Sequence, residues 1–249
     1  MEVLYGEVIR KNFIAKNIVA MDIEYEGEKK IQPGQFVNIK IKEFFLRRPI
    51  SIADAEDDHF TIVFRIVGEG TEALSDYTKG DVVEYTCPTG RFFEIKEDEE
   101  RVLLIGGGLG VPPLYLVAKR YRELGKTVTC ALGFRNYNDV FYEDRFLDLG
   151  CQVYVATDDG SYGFKGSVID MIDQRRLHLY GGLVYVVGPK QMLRDCQEKF
   201  DKGFISMEER MGCGMGACMG CVCKDKNDPD KYYRVCKEGP VFNIGQVEI

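Results

Sequence analysis

Five of the chain's nine cysteines, Cys213, Cys218, Cys221, Cys223 and Cys236, crowd into one stretch near the C-terminus. A chain of 249 residues buries an ordinary core without covalent staples, so a disulfide framework is not what they are for. Clustered thiols in such a chain read as metal ligands. The spacing Cys213-x4-Cys218-x2-Cys221, with Cys236 following, matches the plant-type [2Fe-2S] pattern. Three thiolates on one loop demand a tight curl, and Gly212, Gly214, Gly216, Ala217 and Gly220 leave room for backbone amides to approach sulfur. A structural zinc on Cys218, Cys221, Cys223 and Cys236 is the alternative, although zinc sites usually show two C-x2-C pairs and this stretch has one. The [4Fe-4S] spacing C-x2-C-x2-C-x3-C-P is absent. Cys223 is expected to stand outside the ligand set of Cys213, Cys218, Cys221 and Cys236.

A second chemical signal is "VLLIGGGLGVPPL", where Gly106, Gly107, Gly108 and Gly110 join an apolar run to a helical pattern opened by Pro112 and Pro113. Such a turn lets backbone close on a pyrophosphate. No Gly-Lys-Ser/Thr follows, which excludes a P-loop. Two further stretches suit a diphosphate: "LRRPISIAD", with Arg48, Pro49 and Ser51, and "FRIVGEGTEAL", with Arg65 and a Gly70-Thr71 turn. After a third strand the chain carries Thr157-Asp158-Asp159. A carboxylate from Asp158 there accepts a ribose hydroxyl and repels a 2′-phosphate, favouring NAD over NADP; the competing reading is that both aspartates merely form a turn.

The elements that must hold these groups follow from periodicity. Residues 1–97 alternate apolar and polar over strand lengths between Gly and Pro turns, as in "GQFVNIKI" and "HFTIVFRIV", which implies a closed antiparallel barrel or sandwich without helices. The charged run from Glu97 to Arg101 reads as a solvated linker. Across 98–203, strands such as "RVLLIGG" and "TVTCALGF" alternate with amphipathic helices such as "PPLYLVAKRYREL", the pattern of a parallel sheet covered on both faces. Residues 204–249 lose this rhythm and carry the cysteines. The expected fold class is therefore α+β multidomain, with a barrel, an α/β nucleotide-binding domain and a small [2Fe-2S] module.

A net charge of −7 argues against nucleic acid. The odd cysteine count, the absence of a signal peptide in "MEVLYGEVIR" and the lack of a long apolar run imply a cytoplasmic protein. Cys87, Cys130, Cys151 and Cys196 lie among apolar neighbours and read as core residues. His59 and His178 fall in no motif and are expected to be structural.

Together these motifs resemble the ferredoxin-NADP reductase superfamily. Arg48-Pro49-Ile50-Ser51 matches its flavin motif R-x-[YF]-[ST], with Ile50 in place of the aromatic. Gly108 through Pro113 matches G-x-G-x-x-P, and Val187-Gly188-Pro189-Lys190-Gln191-Met192 matches C-G-P-x-x-M with Val187 in place of cysteine. Nearly the whole chain, through "RRPISIAD", "GEGT", "TDDGSYGFKG" and "CGMGACMGCVC…VCKEGPVF", is similar to the electron-transfer subunits of class 1B dihydroorotate dehydrogenases. The resemblance implies FAD at Arg48 to Ser51, at Val63, Phe64 and Arg65, and at Gly70-Thr71. It implies NAD at the glycine loop, Asp158, Gly188, Pro189 and Met192, and a [2Fe-2S] cluster on the four cysteines. It further implies an FMN-containing catalytic subunit as partner, in a heterotetramer of two subunits each, and an oxidoreductase role in pyrimidine (UMP) biosynthesis. No catalytic acid or base is expected in this chain. Rival readings are the NAD-linked flavin subunit of a sulfhydrogenase or ferredoxin oxidoreductase, and a redox sensor without turnover.

Overall fold

The computed structural model describes residues 2–179 and 182–249. Six strands, β1 (Val3–Ala15), β2 (Ile18–Glu24), β3 (Phe36–Lys40), β4 (Arg48–Ala55), β5 (His59–Arg65) and β6 (Val82–Thr86), close a barrel in the order β1-β2-β5-β4-β3-β6. Every neighbouring pair is antiparallel. Inward residues such as Val19, Met21, Ile23, Val37, Ile39, Ile52, Phe60 and Ile62 fill it. The antiparallel barrel matches the expectation; its freedom from helix does not, because Glu69–Ser75 forms a short helix, α1. The Thr71 hydroxyl makes it possible, accepting from the amides of Val67 (2.9 Å) and Gly68 (3.2 Å).

A seven-stranded sheet follows. In chain order its first part is β7 (Arg101–Gly107), helix α2 (Pro113–Glu123), β8 (Thr127–Phe134), helix α3 (Glu143–Asp148), β9 (Gln152–Thr157) and β10 (Phe164–Lys165). Helix α4 (Val168–Gln174), β11 (Leu183–Val187), helix α5 (Lys190–Lys199) and β12 (Gly203–Ser206) complete the alternation. The parallel strands lie in the order β10-β9-β8-β7-β11-β12. The run "VLLI" in β7 shows why the central strands are apolar throughout. Val102 and Leu104 pack with Leu114, Val117 and Tyr121 of α2, whereas Leu103 and Ile105 pack with Met171 of α4 and Leu193 of α5.

The cysteine-rich end forms a two-stranded ribbon, β13 (Val222–Lys224) and β14 (Tyr232–Arg234), then β15 (Val241–Asn243). β15 pairs antiparallel with β12 and becomes the seventh strand of the sheet. Cys130, Cys151 and Cys196 are buried as expected, but Cys87, at the open end of β6, is only half-buried. The chain just ahead of the charged linker is held firmly. Tyr121 accepts from the Lys96 amide at 2.9 Å and meets the Tyr185 hydroxyl at 2.6 Å, and Tyr185 donates to the Glu94 carbonyl at 2.7 Å. Among the described residues no helix is long and apolar enough to cross a membrane.

Barrel and sheet meet across α2. Leu116 of that helix is packed into the barrel core, while Ile18, Ala53 and Val63 of the barrel belong to the core of the sheet. At the edge of this contact Asp54, nearly buried on β4, accepts from Lys119 Nζ at 3.2 Å and Arg145 Nη2 at 3.0 Å. The Arg145 guanidinium is itself stacked over Tyr115 and Tyr142, 4.3 and 4.9 Å from the ring centroids. Removing the shared anion leaves Arg145 without a carboxylate while Lys119 keeps its pair with Glu56, so Asp54→Asn is expected to lower stability by about 1–3 kcal/mol, below the full cost of breaking a buried pair because Arg145 is partly exposed. Urea unfolding checks it; an unchanged midpoint would mean that the apolar contact alone joins the two parts.

Candidate functional sites: a cleft and a thiolate loop

A cavity of about 870 Å³ opens where the barrel faces the C-terminal ends of the parallel strands. Arg65 and Val67 line it from the barrel side, and Gly107, Gly108, Leu109 and Gly110 from the loop after β7. Asp158 enters from the end of β9, and Gly188, Pro189 and Met192 from the turn into α5. The glycine loop is shaped by its neighbours. Gly110 passes so close to β11 that an added Cβ would stand 2.1 Å from the Val187 carbonyl oxygen, and nothing lies within 4 Å of the corresponding position on Gly108. Backbone is thereby laid open on the cavity side, as a dinucleotide requires. Val187, where the superfamily has cysteine, is buried at the end of β11. A second hollow of about 380 Å³, beside Lys29, Lys119 and Glu123, contains none of the residues marked by sequence.

The remaining marked residues sit on the barrel. Arg48, Pro49, Ile50 and Ser51 open β4, and Val63, Phe64 and Arg65 end the adjacent β5. The Arg48 guanidinium lies over the Phe44 ring at 5.1 Å and against Gly70, where an added Cβ would be 2.6 Å from Nη2. Cation and Gly70-Thr71 backbone are thus brought together, which suits a diphosphate. None of these residues except Arg65 lines the cavity. The Phe64 side chain points into the barrel core. Gly106 also stands back from the cavity: its hydrogen faces Val111, 2.8 Å from where a Cβ would be, and allows the loop to pack on β7.

The two aspartates stand in different surroundings. Asp159 makes the turn, accepting from the Ser161 amide and hydroxyl at 2.9 and 2.6 Å, and the Ser161 hydroxyl holds its carboxyl below the ordinary range. Asp158 lines the cavity. Several cavity residues escaped the sequence reading, the charged Arg135, Asp139, Asp195 and Glu208 among them. Arg135 follows β8, and Asp139 faces Arg65 at 3.8 Å. Glu208 lies just beyond β12; it is exposed at the mouth, yet the protein crowded around its carboxyl strips enough hydration to push it above the usual range. A raised carboxyl in a cleft is the only signal that marks Glu208, and it exists only after folding.

From Glu208 the chain runs directly into the cysteine loop. Cys213 Sγ accepts from the amides of Met215 (3.5 Å), Ala217 (3.3 Å) and Cys218 (3.4 Å). Cys218 Sγ accepts from the Cys213 amide, and Cys221 Sγ from the Cys236 amide, each at 3.4 Å. The sulfurs therefore stand as Cys213 with Cys218 and Cys221 with Cys236, an arrangement suited to two irons with two thiolates each. No three His, Cys, Asp or Glu side chains converge on a single ion among the described residues. Added Cβ atoms on Gly212 and Gly220 would come within 3.3 and 3.4 Å of Cys218 Sγ, so glycine keeps that sulfur accessible. The donor set, thiolates ringed by amides, fits a [2Fe-2S] cluster. Asp225 preforms the turn between ribbon strands, accepting from the amides of Asn227 (2.8 Å) and Asp228 (3.2 Å) and from the Tyr233 hydroxyl (2.7 Å). Cys223, on β13, is buried in the same core as Cys221 and Cys236, and burial pushes its thiol up to about 11.

The Met215 amide, helped by those of Cys218 and Ala217, draws Cys213 down to about 6. In cluster-free protein Cys213 is expected to be alkylated by iodoacetamide at a rate that rises through about pH 6 and levels off by pH 7, with Cys223 unreacted. Peptide mapping by mass spectrometry checks this; equal labelling of the two would remove the distinction between them.

Comparison with known proteins agrees with the geometry. Residues 208–248 match the family model described as the iron-sulfur cluster binding domain of dihydroorotate dehydrogenase B. The chain is 43% identical to proteins named dihydroorotate dehydrogenase B (NAD(+)), electron transfer subunit, from Bacillus cereus and Bacillus anthracis, covering 96% of each chain. In structure it is similar to an NADH-dependent reduced ferredoxin-NADP oxidoreductase (TM-score 0.86, 30% identity, 98% of this chain and 89% of that one). It shares the fold of phthalate dioxygenase reductase (TM-score 0.68, 15% identity, 98% and 94% covered). The match to these relatives spans the barrel, the cleft and the thiolate loop of this chain together, and the chain belongs to the family of dihydroorotate dehydrogenase B electron transfer subunits.

Proposed function

We propose that this chain carries electrons from an FMN-containing dihydroorotate dehydrogenase catalytic subunit to NAD+, as the electron-transfer subunit of a cytoplasmic heterotetramer with two copies of each subunit. One observation carries the reading: Glu208 in the wall of the cleft and Cys213 at the head of the thiolate loop are separated by only four residues. A [2Fe-2S] cluster handles single electrons, nicotinamide takes a hydride, and FAD converts between the two. The chain's own residues position these groups. In this reading Arg48 and the Gly70-Thr71 backbone hold the FAD diphosphate, with Pro49, Ile50, Ser51, Val63, Phe64 and Arg65 along its edge. Gly106, Gly107, Gly108 and Gly110 form the turn for the NAD pyrophosphate, Asp158 takes a ribose hydroxyl, and Gly188, Pro189 and Met192 close the nicotinamide end. Cys213, Cys218, Cys221 and Cys236 ligate the cluster, and Cys223 does not. Domain limits of 1–97, 98–203 and 204–249 suit this division, although β15 lends the last segment to the sheet of the second. The sulfhydrogenase and ferredoxin oxidoreductase alternative is not favoured, because full-length relatives at 43% identity carry the dihydroorotate dehydrogenase name.

Two outcomes are expected. The purified holoprotein oxidises NADH with an artificial acceptor, and dihydroorotate-dependent NAD+ reduction appears only when the catalytic subunit is added, as a species whose mass in native mass spectrometry corresponds to two of each chain. Dihydroorotate turnover by the single chain would sink the assembly. Because Asp159 builds the turn and Asp158 faces the cleft, Asp158→Ser alone should raise the NADPH-to-NADH ratio of kcat/KM by about tenfold, equivalent to about 1.4 kcal/mol. A ratio left where it was would move the selection to another cleft residue, Arg135 foremost.

A further inference from the structure

Strand β3 is buried on both sides, and its alternation divides its residues between two cores. Val37 and Ile39 point into the barrel, and Phe36 packs with Cys221, Val235 and Phe242 beneath the thiolate loop. Asn38, on the same side as Phe36 and 1% exposed, is the buried polar residue of this face. Its backbone amide donates to Thr86 Oγ1 at 3.1 Å, and its Nδ2 lies 3.4 Å from Thr86 Oγ1 and 3.4 Å from the carbonyl oxygen of Gly214. Gly214 has a left-handed φ of 65°, and a Cβ there would be 2.4 Å from Asn38 Oδ1. Only glycine lets the loop settle on this side chain.

The carbonyl that Asn38 grips belongs to the peptide whose N–H, that of Met215, points at Cys213 Sγ. The arrangement is repeated two residues on. Arg234 Nη1 donates to the Gly216 carbonyl at 2.6 Å, and the N–H of that same peptide, Ala217, donates to the same sulfur at 3.3 Å. Glu238 fixes the guanidinium, accepting from Arg234 Nε at 3.0 Å. A hydrogen bond to a peptide oxygen polarises the amide and strengthens the donor at its other end. Hydrogen bonds to a cluster sulfur favour the reduced, more negative state and raise the reduction potential.

We infer that Asn38 and Arg234 are positioning residues that act through the Gly214 and Gly216 carbonyls on Cys213, setting the reduction potential of the cluster, with Asn38 tying that setting to the flavin barrel. The inference rests on the [2Fe-2S] reading proposed above. Asn38 is the cleaner probe, because replacing it changes no charge.

Redox titration of the holoprotein, followed by electron paramagnetic resonance of the reduced cluster, tests it. Wild type comes first: absence of a reduced [2Fe-2S] signal would refute the functional reading itself, not this inference. With the signal present, Asn38→Leu is expected to lower the reduction equilibrium constant of the cluster by about three- to tenfold, tenfold being about 59 mV for one electron. The flavin potential should stay where it is. Arg234→Met should move the cluster in the same direction and further. Thr86→Val removes the other partner of Asn38 but leaves the Gly214 contact, and should leave the cluster potential unchanged. Should Asn38→Leu not fold, Asn38→Ser, too short to reach Gly214, carries the same expectation. An unmoved midpoint in the Asn38 variant, or an equal shift in Thr86→Val, would overturn the inference. So would loss of the cluster from both Asn38 variants with flavin retained, which would make Asn38 a structural anchor only.

Discussion

A strand exposes two faces, and the architecture of this chain depends on β3 burying both. Val37 and Ile39 complete the barrel while Phe36 and Asn38 serve the layer under the thiolates, so the register of five residues sets the position of one site against another. A slip by one residue would turn Asn38 into an apolar barrel and Val37 toward the Gly214 carbonyl. Neither environment would accept the exchange, since a buried amide without partners costs on the order of 1–3 kcal/mol. The rest of the molecule is arranged around that fixed edge: α2 presses Leu116 into the barrel, and Asp54 clamps the outer rim of the contact through two cations.

Features written in local spacing were legible before folding. The cysteine intervals, the glycine loop opened by Pro112 and Pro113, and the change of period near residue 98 are all short-range properties of the chain. Partners brought together by closure were not. Nothing near Glu208 in sequence marks it as a cleft residue, because what raises its carboxyl is the surrounding protein. Asn38 meets Gly214 across most of the chain, and a lone asparagine in a strand ordinarily signals nothing. α1 was hidden for a different reason: two turns are too short to show a helical period, and the Thr71 hydroxyl that secures it replaces a pattern with the hydrogen bonds of one side chain. Asp158 and Asp159 read alike in sequence and separate only when one is consumed by Ser161.

The cleft and the loop also show how one backbone serves different chemistries. At Gly110 the absence of a side chain lets two strand ends approach; at Gly212 and Gly220 it leaves sulfur uncovered. In both places the protein offers peptide groups where a side chain would have intervened, and peptide dipoles held by a rigid sheet or ribbon need no reorganisation when charge arrives. The tight turn at Asp225 has the same effect on the approach to Cys236, which is delivered by a strand already fixed in place.

β15 has a consequence for the life of the isolated parts. Without it, β12 would end the sheet with a row of unpaired amides and carbonyls, a template for association with any other extended chain. At the opposite margin the sheet tapers to the two residues of β10, too short to recruit a neighbour. The segment that brings the thiolates therefore also covers the edge of β12 and leaves the three residues of β15 as the margin of the sheet. A chain cut ahead of it would be sticky as well as cluster-free, which binds solubility to the presence of the electron-carrying end.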